Sequence, residues 1–178
     1  MNNWALYPVI VGTILSMTLW LRFVLHEHEK GSRLTLSELA TQKNLRYFRG
    51  VLWLCGPLFA LSTLYYIGPR VGNGYVTLLL ITIVVLELLV GVVPPRQSYE
   101  RVVHSTIAYL MGFFMLVAAC VFAIVLPRYQ LIEAIIGGLM LVVIMYGWMR
   151  RRDFIYFEIT YIFLSHISFV VAALAVTV

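Results

Sequence analysis

Glu87, Glu133, Glu158, His104 and His166 are ionisable side chains set inside, or at the edge of, long apolar runs. Carboxyl and imidazole groups held close together can relay a proton, act as acid and base, or bind a cation. Surrounded by hydrocarbon, such a group costs at least about 2.5 kcal/mol unless it is paired or hydrated. Each therefore raises the question of its partner. Glu87 raises it most sharply, in "VVLELLVGVVPPRQSYERVVH" from Val84 to His104, where one carboxyl group precedes a double proline and a charged loop.

At a rise of about 1.5 Å per residue, Glu87 lies roughly 9 Å from the end of its run nearer the basic loops, and Glu158 roughly 6–8 Å. Arg22, Arg101 and His104 fall in the same layer, so Glu87 is expected to contact at least one of them. A structural ion-pair cluster is the preferred reading of this layer. His166, in "YIFLSHISFVV", lies roughly 18–20 Å from that face. Glu133 comes in from the opposite side and could approach it. Ser165, Ser168 and Tyr161 are near in sequence, and a hydrogen-bonded packing role is preferred. Glu158 and His166, eight residues apart, point in similar directions at different depths.

Other groupings carry less. His26 and His28 of "HEHEK" point to different sides of a helix, which suits a solvated stretch rather than a metal site. Cys55 and Cys120 lack metal-type spacing and read as small buried residues. Haem between helices wants two axial histidines at like depth, which His104 and His166 do not offer. There is no phosphate loop, nucleophile elbow, zinc spacing or acid dyad. No metal or cofactor is expected, and no catalytic residue stands out.

The elements that must hold these groups are membrane helices. Hydrophobic residues make up 62% of the 178 residues and charged residues 12%, with a mean hydropathy of +0.92. Soluble domains carry about 25% charged residues, so most of this apolar surface must face lipid. Six spans of near bilayer length are expected, at about Trp4–Leu25, Tyr47–Ile67, Tyr75–Val93, His104–Leu126, Leu131–Met149 and Phe154–Val176. The fold class is all-α, a single six-helix transmembrane bundle over residues 1–178. The first run is too long for a signal-peptide core and reads as a retained helix. Residues 26–46 form the longest loop, where Thr35 and Glu38 of "TLSELATQ" have capping-box spacing and predict a short helix at the membrane surface. "IGGLM" (Ile136 to Met140) supplies small residues for close helix contact.

The net charge of +5 does not indicate nucleic acid, because the basic residues lie between apolar segments rather than in one patch. Arg22, Lys30, Arg33, Lys43, Arg46, Arg49, Arg96, Arg101, Arg150, Arg151 and Arg152 fall on one side, and only Arg70 and Arg128 on the other. Basic loops stay in the cytoplasm, so both termini are expected outside a plasma (inner) membrane. Trp4, Tyr7, Tyr65, Tyr66, Tyr75, Tyr129 and Trp148 stand near span ends, as interface aromatics do.

Three stretches, "LTLSELATQKNLRYFRGVLWLCGPLFAL", "PPRQSYERVVHSTIAYLMGFFML" and "DFIYFEITYIFLSHISFVVA", together resemble the DRAM/Frag-type group of six-helix membrane proteins and related bacterial families. The shared features map to Ser37 and Glu38, to Pro94 or Pro95, and to His104. The resemblance implies a six-helix bundle. Animal and fungal members are linked to lipid remodelling, autophagy and membrane lipid asymmetry. Members with both termini in the cytoplasm would disagree with the charge count.

The first functional expectation is a non-enzymatic bundle that binds membrane lipid or a membrane protein partner, with a homo-oligomer also open. The second is a small transporter or channel with Glu87, Glu158 and His166 along a proton or ion route. The third is a lipid-modifying enzyme using His104 or His166 with a glutamate as acid and base.

Overall fold

The computed structural model describes residues 6–30, 32–93, 95, 97–150 and 152–177. Trp4, Pro94, Arg96 and Arg151, named above, lie outside the described residues. Seven helices follow in chain order. They are α1 (Leu6–Glu27), α2 (Leu36–Lys43), α3 (Leu45–Val71), α4 (Gly74–Val92), α5 (Ser98–Val125), α6 (Gln130–Arg150) and α7 (Phe154–Ala175). All but α2 are long and apolar enough to cross a membrane. The chain is an all-α integral membrane protein built as a six-helix bundle.

The breaks between helices have local causes. Thr35 caps α2, accepting from the Glu38 N–H at 3.3 Å while the Glu38 carboxylate accepts from the Thr35 N–H at 3.1 Å. This is the reciprocal box its spacing predicts. One residue, Asn44, separates α2 from α3, and its side chain accepts from the Tyr47 N–H at 3.0 Å. The expected break after Ile67 is displaced. Helix α3 passes through a π turn at Thr63–Ile67 and one further turn, Gly68–Val71, before stopping. Pro69 stands in that last turn, just after the π turn. Gly72, at φ 66°, makes the stop. Asn73 then caps α4 through the N–H groups of Tyr75 and Val76.

Helix α5 starts at Ser98, six residues before the expected span. Glu100 in its first turn accepts from the Gln97 N–H at 3.1 Å, and a carboxylate there also suits the helix dipole. His104 therefore sits well inside α5 rather than opening it.

Each long helix packs on the next, α1 on α3, α3 on α4, α4 on α5, α5 on α6 and α6 on α7, and α1 closes the ring against α7. Lipid tails are as apolar as leucine, so close packing and internal hydrogen bonds hold such a ring. Gly137 on α6 shows the packing. A Cβ there would lie 3.8 Å from both Ala119 Cβ and Cys120 Sγ of α5, whereas Gly138 faces open space. Gly147 is tighter still against α7, with a Cβ reaching 2.9 Å from Phe157 Cβ. Two buried apolar clusters fill the ring. One surrounds Phe59, Tyr66, Phe122 and Phe169. The other, on the α2 side, surrounds Trp20, Phe23, Phe48 and Ile155. Cys55 is buried in the latter, but Cys120 is exposed on α5, contrary to expectation.

Candidate functional site: a polar chamber joined to a lateral cleft

Where the two clusters meet, α1, α3, α4, α5, α7 and α2 line a chamber of about 80 Å³. One water needs roughly 10–15 Å³ by comparison. Glu87, Glu158, His104 and His166 all line it, together with Ser16 and Cys55. Each reaches it from a different part of the bundle, Glu87 from α4, His104 from α5, and Glu158 and His166 from α7.

Hydrogen bonds fix three of the four. The Leu36 N–H, free at the start of α2, donates to Glu158 Oε2 at 2.6 Å. His104 Nδ1–H donates to the Val93 carbonyl, and its Nε2, buried, has no hydrogen-bond partner among the described residues. His166 Nδ1–H donates to the Ile162 carbonyl at 2.8 Å, one turn back on its own helix. Its ring packs on Phe59 with centroids 5.6 Å apart. A neutral imidazole has one N–H, and each ring gives its own to a carbonyl, so each keeps a lone pair at Nε2.

Glu87 makes no hydrogen bond or ion pair among the described residues. Gly56 of α3 faces it with bare backbone, where a Cβ would lie 3.7 Å from Glu87 Oε1. The expected cation partners are elsewhere. Arg22 is exposed on α1 and lines a shallow outward groove with Thr18 and His26. Arg101 is exposed on α5, 3.9 Å from Glu38 Oε1 on α2. Both long side chains reach water or the interface from near a helix end, as snorkelling predicts, and so miss the interior. Of the three named partners only His104 shares the chamber with Glu87.

Glu133 makes no hydrogen bond to His166 among the described residues. It is fully buried between α6 and α7, where Ser168 Oγ–H donates to its Oε2 at 2.6 Å. Its Oε1 has no hydrogen-bond partner.

The chamber shares a wall with a second cavity of about 110 Å³ between α5, α6 and α7. His104, Met111, Met115, Glu158 and Ile162 line both. The rest of this cleft is largely apolar, with Gly112, Ile144 and Phe157 in its walls. Tyr161 crosses it, its hydroxyl donating to the Gly112 carbonyl of α5. At the α2 end, Thr35, Tyr109 and Phe154 continue into a wider mouth with Arg33 and Trp148.

Sequence reasoning missed the cleft, and it missed His28. That ring is buried, donates to Asp153 Oδ1 at 2.9 Å and meets Tyr156 edge-on, while His26 is exposed. The stretch read as solvated thus ties the first loop to the start of α7. Asp153 at φ 54° is a bend that no local pattern announced.

No family model, curated protein or solved structure matches this chain.

Proposed function

We propose that the protein binds a single-chain segment of membrane lipid in the cleft between α5, α6 and α7, without itself carrying out a reaction. The observation that carries this reading is the continuity of the cleft. An apolar channel past Met111, Met115 and Ile144 runs to a mouth with an arginine and a tryptophan, Arg33 and Trp148. An acyl chain fits the first, and an interfacial phosphate suits the second. The resemblance to DRAM/Frag-type proteins, with members linked to lipid remodelling, points the same way. In this reading the α2 face is cytoplasmic, both termini are outside and the membrane is the plasma membrane, on the strength of the basic-residue bias.

A lipid carrying a photoactivatable acyl chain tests the reading in reconstituted protein. Labelling should concentrate on Met111, Met115, Ile144 and Ile162. Labelling spread evenly over outward residues such as Val85, Leu78 and Ile124, with none in the cleft, would refute it.

The second reading, a proton or ion route, draws on Glu87, Glu158 and His166 sharing one chamber. Glu133, the polar group of the other half, lines neither the chamber nor the cleft.

A further inference from the structure

The chamber wall is rich in acceptors. Glu87 has both carboxyl oxygens without a protein partner, and Glu158 has Oε1 left after Oε2 takes the Leu36 N–H. His104 and His166 each commit their single N–H to a backbone carbonyl and keep a lone pair. His104 is 1% exposed, and its Nε2 is without a partner among the described residues. No lysine or arginine among the described residues lines the chamber. The other described lining residues with polar side chains, Ser16, Ser37, Trp20 and Cys55, are not cationic.

Two carboxyl groups removed from water need a counter-charge or a proton, and unpaired acceptors need donors. A primary ammonium group provides one positive charge and three N–H donors in a compact head. Its size suits a chamber of about 80 Å³. The wall shared with the cleft at Met111, Met115 and Ile162 gives an attached chain a way out. Deepening the lipid-binding reading and resting on it, we propose that the chamber is a binding site for a primary ammonium group, held by Glu87, Glu158 and the Nε2 atom of His104, one acceptor for each N–H. The amine comes either as the head of an amphiphile whose chain lies in the cleft or as a free small amine.

The test uses the full chain in nanodiscs of a lipid without primary amines. The midpoint of thermal unfolding is followed on adding decylamine, butylamine, decyltrimethylammonium or decanol, since a ligand that binds the folded state raises it. Decylamine should raise the midpoint at concentrations at least about tenfold below those needed with decanol or decyltrimethylammonium, tenfold being about 1.4 kcal/mol. Glu87→Gln and Glu158→Gln should each abolish that advantage. Glu158→Gln keeps a carbonyl for the Leu36 N–H, and Glu87→Gln has no protein partner to lose, so both variants should fold. Butylamine acting as well as decylamine would assign the site to free amines. Butylamine acting only at far higher concentration would assign it to the amphiphile. Equal effects of decylamine, decanol and decyltrimethylammonium, with the cleft photolabelled, would overturn the ammonium site and leave lipid binding standing. No response to any of the four and no cleft labelling would overturn both.

Discussion

The backbone N–H of Leu36 lies 2.6 Å from Glu158 Oε2, joining the first residue of the short helix α2 to a carboxyl group of α7. The same carboxyl group lines both cavities. Helix α2 is thus fastened over the chamber by one of its lining residues, and Leu36 and Ser37 form part of the chamber wall.

Removing that acceptor should loosen α2. Glu158→Ala leaves the Leu36 N–H without its carboxyl partner, a loss of about 1–3 kcal/mol. Glu158→Gln keeps a carbonyl oxygen in place. Hydrogen exchange over residues 36–43 should be faster in the alanine variant than in the glutamine variant. Equal protection in both would show that Glu158 does not hold the helix.

The contact of α6 with α7 at Gly147 is the tightest glycine approach among the described residues, 2.9 Å from an added Cβ to Phe157 Cβ. Gly147→Ala should destabilise by about 1–3 kcal/mol, because both helix backbones resist the shift. Gly138→Ala, with nothing within 4 Å, should be neutral or slightly stabilising. Thermal unfolding of the two variants beside the parent checks this. A harmless Gly147→Ala would mean that the helices are spaced more widely than described.

Glu133 and Ser168 offer a separate check on the other half of the bundle. Ser168→Ala takes away the only hydrogen bond that Glu133 makes among the described residues, and should lower stability by about 1–3 kcal/mol. In a Glu133→Leu background the same change should cost little, since no carboxyl group is left to satisfy. A double-mutant cycle measures the difference. Additive losses would show that the two groups are not coupled.

Much of the fold was legible from elementary patterns. Apolar run length announced the six spans, Thr35 and Glu38 announced α2, and the small residues at Ile136–Met140 announced a close contact that falls on Gly137. The boundaries that moved did so for local reasons. Pro69 stands in a last turn of α3 instead of ending it, and Glu100 lets α5 start at Ser98. The site was only half legible. Spacing could say that Glu158 and His166 fall on the same broad side of α7, because eight residues leave them about 80° apart. It could not say that Arg22 and Arg101 point outward, because long cationic side chains reach the interface from inside a span. The cleft has no sequence signature at all. It arises from the spacing of α5, α6 and α7, which depends on packing between residues remote in the chain.

The membrane orientation rests on the basic residues, and added cysteines test it. In a Cys120→Ser background, a cysteine at Gly74 should react with an impermeant thiol reagent on intact cells, and one at Ser98 should not. Both positions are exposed, one at the start of α4 and the other just past its end. The reverse pattern would place the α2 face and the basic loops outside.

The most direct measurement is a density map of the protein in a lipid bilayer, resolving what lies between α5, α6 and α7. The account predicts elongated density passing Met111, Met115 and Ile144 from the mouth at Arg33 and Trp148 to the wall formed by His104 and Glu158. A cleft closed by its own side chains, or filled only by ordered water, would contradict it.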